Sequence, residues 1–182
     1  MIDNQRRVLV AYAGWAGSTA GVAERIAEVM NRSGFAAEAR RAGDVKDVAA
    51  FDAVVLGAAV RAGKLHPDAR KFAARNTAEL NSRPFAAFVV CLAMTSADEK
   101  GRAQAETYLE PVRRMVRPAC EGRFAGAYDP QKLGFLGRQV MRMIKAAPGD
   151  FRKWDEIETW AAGLVPLFST RPAQAEARFP AS

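Results

Sequence analysis

The chain has 182 residues, 49% of them apolar, and a formal net charge of +7, with a sequence pI near 9.8. That is enough chain for one domain with a sizeable core, and no stretch of about 18 uninterrupted apolar residues exists to make a spanning helix. A single histidine, His66, and two well-separated cysteines, Cys91 and Cys120, exclude a multi-histidine or clustered-cysteine metal centre, so no metal is expected.

Val8 to Tyr12 is a short apolar run and predicts a buried strand over about Arg7 to Tyr12. A loop of small residues, Ala13 to Thr19, follows. Val22, Ile26, Val29 and Met30 then recur at helical spacing, which predicts a helix from about Ser18 to Ser33. Gly34 punctuates, and Phe35 to Arg40 reads as a second strand. Phe51 to Val60 is a strong buried strand. A loop, Arg61 to His66, leads to Pro67, which suits a helix's first turn, and that helix is expected to reach about Leu80. Phe85 to Ala93 is another buried strand, with Cys91 as a small core residue. Ala97 to Arg117 reads as mostly helical, with Pro111 starting or kinking a segment. Arg123 to Tyr128 is a short strand. Leu133 to Ala146 is basic and amphipathic, within an expected insertion at about 129–148. Phe151 to Phe168 is the last helix, with Trp154, Ile157, Trp160, Ala161 and Leu164 as its apolar stripe. Residues 1–168 are thus one domain, and 169–182 are expected to be a flexible tail.

Strands alternating with helices predict an α/β fold: a three-layer sandwich with a five-stranded parallel sheet and helices on both faces. Ligands in such sheets bind at the carboxyl ends of the strands, near the switch in strand order. Three loops meet there, 13–19, 59–66 and 92–101. The first runs straight into a helix, so its backbone N–H groups and the helix dipole form a site for a phosphate. Ser18 and Thr19 have a second reading, as caps of that helix. Neither the nucleotide P-loop nor the dinucleotide glycine fingerprint is present.

At these loops the sequence resembles the flavodoxin-like family, and within it the bacterial flavodoxin-type protoporphyrinogen IX dehydrogenases. The resemblance covers about residues 6–168. It rests on Tyr12 to Thr19 with the following helix, on Val55-Leu-Gly-Ala-Ala-Val-Arg-Ala-Gly-Lys-Leu-His66, on Leu80-Asn-Ser-Arg-Pro84, on the basic stretch Arg138 to Lys145, and on Gly149-Asp-Phe-Arg-Lys-Trp-Asp155. It implies FMN, with the phosphate at Gly14, Trp15, Ala16, Gly17, Ser18 and Thr19. The isoalloxazine would lie between Ala59, Val60, Arg61, Ala62 and Gly63 on one side and Leu92, Ala93, Met94 and Thr95 on the other. It also implies two-electron oxidation of a porphyrinogen, a step of heme biosynthesis, with quinone as acceptor.

The family's phosphate loop follows the pattern Ser/Thr-x-Thr-Gly-x-Thr, whereas Gly14 and Ala16 lack two of those hydroxyls. Each lost hydrogen bond to a charged group costs about 1.5–3 kcal/mol. Three readings follow. The first is an FMN-dependent oxidoreductase, with cofactor binding weakened by those changes. The second is a flavodoxin-like binding or regulatory module that has lost FMN. The third is an electron carrier, which a basic pI fits poorly when the redox partners are themselves basic. Ala62 stands where an aromatic residue is expected beside the flavin, and Trp15 is either a replacement stack or a loop-packing residue.

His66 is either a loop histidine at a helix start or a group that takes the proton lost on oxidation. Arg61 and Lys64 are either solvated charges or the partners of substrate propionates. Residues 111–145 hold eight Arg or Lys against two acids. The part at 132–145, interleaved with apolar residues, either lies on an anionic membrane surface or packs its apolar side on the domain. No DNA motif or aromatic platform accompanies the charge, so nucleic acid is not an expected partner. A homo-oligomer is compatible with the sequence. The N-terminus lacks a signal-peptide pattern, so the expected location is the cytoplasm, with peripheral contact at the inner face of the cell membrane.

Overall fold

A computed structural model describes residues 5–95, 99–132, 134–135, 138–139, 142 and 148–170. Its elements run β1 (Arg7–Ala13), α1 (Ser18–Arg32), β2 (Ala36–Arg41), β3 (Ala53–Arg61), β4 (Lys64–Leu65), α2 (Pro67–Arg75), α3 (Thr77–Asn81) and β5 (Phe85–Cys91). A 3-10 turn (Leu92–Thr95), α4 (Glu99–Thr107), α5 (Glu110–Arg113), β6 (Cys120–Ala125), β7 (Ala127–Tyr128), a second 3-10 turn (Pro130–Lys132), β8 (Gly149–Asp150) and α6 (Trp154–Ser169) follow.

The apolar runs that predicted strands are buried on both faces. In β1, Leu9, Ala11 and Ala13 pack with Phe72 of α2, Leu80 of α3 and Val112 of α5. Val8 and Val10 point the other way, onto Val22 and Ile26 of α1 and Ile157 and Leu164 of α6. Successive side chains on a strand take opposite faces, so one continuous apolar run serves two helical layers. The sheet order is β2-β1-β3-β5-β6, with every neighbouring pair parallel. This is the five-stranded parallel sandwich expected from the sequence, and its fold class is flavodoxin-like.

Two side-chain devices hold the layers in place. Arg83 donates to the main-chain carbonyls of Val48 and Phe51, both at 2.6 Å, and Arg75 reaches those of Ala42 and Val45. These two arginines satisfy the backbone of the long β2–β3 connection, which has no ladder of its own. On the opposite face Phe88, Phe124 and Trp160 form an aromatic cluster with centroids 5.5–6.0 Å apart. The Phe88 ring lies over Gly57, in the middle of β3. A Cβ there would fall 2.1 Å from the ring.

The structure differs from the sequence reading in several places. The expected single helix from Pro67 to Leu80 breaks at Asn76 into α2 and α3. The strand expected to reach Ala93 stops at Cys91 and tightens into a 3-10 turn. Pro111 occupies the first turn of α5, so it starts that helix. The strand placed at Arg123 to Tyr128 is instead β6 and β7, and β7 pairs antiparallel with β8. Most of the basic stretch 133–146 lies outside the described residues, as does the expected tail beyond Thr170.

Gly57→Ala should destabilise the fold by about 1–3 kcal/mol or more, because β3 is held on both sides and cannot retreat from Phe88. Gly163→Ala, on an open face of α6 where a Cβ meets nothing, should stabilise it by about 0.5–1 kcal/mol. Urea unfolding of the two variants checks the contrast. Equal effects would mean that Phe88 does not rest on Gly57.

Candidate functional site at the carboxyl ends of β1, β3 and β5

The β1–α1 loop delivers an open helix end. Gly17 is the N-cap, with φ 84°, and no side chain caps α1. Neither Ser18 nor Thr19 therefore fills the capping role that the sequence allowed them. The first intrahelical bond runs from Gly21 N–H to Gly17 O, which leaves the N–H groups of Ser18, Thr19 and Ala20 ahead of the ladder. The first turn of α1 carries no acidic residue, so nothing opposes an anion there.

Thr19 explains Gly14. Its side chain is 2% exposed, and its Oγ1 and Cβ lie 2.8 and 2.9 Å from where a Cβ on Gly14 would sit. A serine or threonine at 14 would collide with Thr19. The Thr19 side chain thus packs against Gly14 at the open end of the helix. Ser18 is tied differently: its Oγ accepts the Ala127 N–H at 3.1 Å and keeps its own hydrogen to donate.

The second loop is not a loop but a hairpin. β3 and β4 pair antiparallel, Val60 with Leu65 and Arg61 with Lys64. The two residues between them, Ala62 and Gly63, have φ 49° and 72°. Two successive positive φ angles are the signature of a tight turn that follows the strands' twist. Arg61 folds back over the Trp15 ring at 4.4 Å, and the His66 ring leans on Trp15 with centroids 4.1 Å apart and planes tilted by 43°. Trp15 therefore packs against the hairpin, clamped between a guanidinium and an imidazole. Lys64, on the hairpin's return strand opposite Arg61, is exposed.

His66 is 8% exposed. Its Nδ1 accepts the Asp68 N–H at 3.2 Å and caps α2. An accepting Nδ1 places the neutral ring's hydrogen on Nε2. Burial pushes the imidazole below its ordinary pKa against an opposing pull from Asp68, and the weaker effects of the Arg61 and Arg41 charges add to the lowering. In the third loop, Met94 packs against the core from the 3-10 turn, while the side chains of Ala93 and Thr95 lie outside the described residues.

Sequence reasoning missed Arg41, Asp44 and Asp68, which share a cavity of about 290 Å³ with Tyr12, Trp15 and His66. No local pattern marks them. Arg41 enters because β2 pairs with β1 in a register that sets it opposite Tyr12.

A doubly wound sheet with an open helix end at its switch point defines a class of anion-binding α/β domains. The match of residues 9–154 to the Flavodoxin domain family narrows that class, and the chain belongs to this family. It is similar to the structure of a short-chain flavodoxin associated with a non-canonical PDU bacterial microcompartment, at 13% identity and TM-score 0.60, covering 91% of this chain and 100% of that one. An archaeal flavodoxin is similar at 14% identity and TM-score 0.57, with 90% and 99% covered. A Streptococcus pneumoniae flavodoxin is similar at 14% identity and TM-score 0.56, with 88% and 99% covered. Identities this low concern the fold alone. No curated protein sequence matches the chain significantly. Among the described residues no helix is long and apolar enough to cross a membrane.

The His66 cap needs an unprotonated Nδ1. Because the folded pKa is depressed, its contribution is complete above pH about 6.5 and is lost as pH falls through the folded value, where the unfolded chain binds the proton first. Thermal unfolding should therefore show a decline in stability below pH about 6.5. His66→Asn, which caps without titrating, should remove that part of the decline. An unchanged pH profile in the variant would detach His66 from it.

Proposed function

We propose that the chain is an FMN-dependent oxidoreductase. It would withdraw two electrons from an anionic reduced substrate, protoporphyrinogen IX or a similar porphyrinogen, and pass them to a quinone. The observation that carries the cofactor assignment is the N-terminus of α1, which no side chain caps and whose first turn holds no acid, with Thr19 packed beside it. That donor set suits a phosphate: three N–H groups ahead of the helical ladder, the Ser18 hydroxyl's hydrogen and the Thr19 hydroxyl. Thr19 occupies the space that a hydroxyl residue at 14 would need, so Gly14 is a packing consequence of keeping Thr19 there.

The loop Gly14–Thr19 would hold the phosphate, with Ala59–Gly63 and Leu92–Thr95 on either side of the ring. When bound, FMN supplies a two-electron acceptor that can be reoxidised. The chain's own groups bind and orient. Arg61 brings a cation to the rim of the site, and His66 offers a hydrogen from Nε2. For His66 to accept a proton, Nδ1 must give up its bond to Asp68 N–H, so the α2 cap and proton uptake compete. A quinone is lipid-soluble, and residues 132–145, with Arg138, Arg142 and Lys145 among apolar residues, have the composition for an anionic membrane surface.

A flavodoxin-type electron carrier is a second reading, favoured by the family match itself. The net charge of +7 counts against docking on basic partners, and acceptor preference separates the two readings: quinone for the oxidoreductase, a protein partner for the carrier.

The purified protein, mixed with FMN and freed of excess, should keep oxidised-flavin absorption bands. Thr19→Val should weaken FMN retention about ten- to a hundredfold, the worth of one hydrogen bond to a charged group. No retained flavin at high FMN would overturn the cofactor assignment and leave the binding-module reading. With flavin retained, anaerobic mixing with a porphyrinogen and a quinone should give turnover. Flavin reduction that only a protein acceptor can discharge would favour the carrier.

A further inference from the structure

β2 lies at one edge of the sheet. The N–H groups of Ala36 and Ala42 donate to the Arg6 and Tyr12 carbonyls on the β1 side, at 2.9 and 2.8 Å. Main-chain groups alternate sides along a strand, so those of Ala37, Ala39 and Arg41 face away from β1. No strand lies beyond them among the described residues. An edge of this kind is a template on which another strand can pair.

One side chain closes part of it. Asn31, in the last turn of α1, reaches round the edge to Ala37. Its Oδ1 accepts the Ala37 N–H at 2.7 Å, and its Nδ2 donates to the Ala37 carbonyl at 3.0 Å. The amide makes the bonds that a neighbouring strand would make. Nothing in α1 asks for asparagine at this exposed position, since asparagine is a poorer helix former than alanine. The Arg41 carbonyl accepts the Asp44 N–H at 3.0 Å. The outward groups of Ala39 and the Arg41 N–H are what remains of the edge.

The charges of β2 suit a copy of itself. Glu38 and Arg40 share one face of the strand, 2.8 Å apart. In an antiparallel pair of β2 strands with a twofold axis at Ala39, Glu38 of each copy falls opposite Arg40 of the other, and Ala37 opposite Arg41. Opposite charges that face across strands stabilise the pair. While Asn31 occupies Ala37, only the mutual Ala39 bonds form. Once Ala37 is released, each Arg41 N–H gains the Ala37 carbonyl opposite, and the ladder doubles.

We propose that the β2 edge is a self-complementary pairing surface for a second copy of this chain, and that Asn31 holds it closed by occupying Ala37. The inference goes beyond the cofactor reading and does not depend on it.

Sedimentation velocity of the full chain over a concentration series tests it. Asn31→Ala should strengthen self-association about ten- to a hundredfold over the native chain, the worth of the added hydrogen bonds. Asn31→Asp keeps the bond to the Ala37 N–H and frees only the carbonyl. It should give part of the same gain, and it carries the test if the alanine variant loses its cooperative melting. Adding Ala39→Pro, whose missing N–H makes no bond to β1, should return association to the native level. Adding Arg40→Glu, which sets like charges opposite each other, should do the same. Association of both Asn31 variants equal to that of the native chain, or a gain that survives both second changes, would overturn the inference.

Discussion

Everything in this molecule that bears on function depends on β1 being hydrogen-bonded on both sides by parallel strands, β2 and β3. Parallel neighbours require crossovers, and the crossovers leave from the carboxyl ends in opposite directions. The chain must turn outward at Ala13, and the space it opens is bounded by the ends of β2 and β3. The open helix end, the hairpin and Arg41 all converge there. Were β1 at an edge, the same loop would face solvent on one side.

Burial on both faces sets the second constraint. With Leu9 and Ala11 in one layer and Val8 and Val10 in the other, β1 cannot shift register without exposing one set or breaking both ladders. That rigidity fixes the loop after it. Thr19 is held nearly without exposure. The family's usual hydroxyls at 14 and 16 are therefore absent for different reasons. Gly14 is required by the close approach of Thr19, while nothing in the structure explains Ala16.

The basic charge divides by location. Around β6 the carboxylate of Glu121 lies between Arg113 and Arg123 at 2.6–2.8 Å, and those guanidiniums hold it below the usual carboxylate range. Arg152 and Arg25 of α1 lie over the Trp154 ring at 4.5 and 5.1 Å, joining α1 to the start of α6. These cations serve the fold. Arg61, over the Trp15 ring at 4.4 Å, is employed in the same way at the strand ends, and a net charge alone does not show how its cations are placed.

Much of the architecture was legible in the residues. The runs at 8–12, 51–60 and 85–93 are long, apolar and interrupted by helical spacing, and only a parallel sheet covered on both faces buries such runs. The small-residue loop before Val22 predicted a strand opening straight into a helix for the same local reason, and α1 begins there. What the sequence could not carry was anything set by register or by a neighbour in space: the hairpin at Ala62 and Gly63, where a non-glycine residue adopts a positive φ; the packing of Arg61 and His66 on Trp15; and Arg41 opposite Tyr12. Sequence patterns by themselves determined which stretches bury and in what order they alternate, because burial follows from composition at fixed spacing. Only the tertiary structure decided which side chains share a cavity, because strand order and register bring together residues that have no spacing in common.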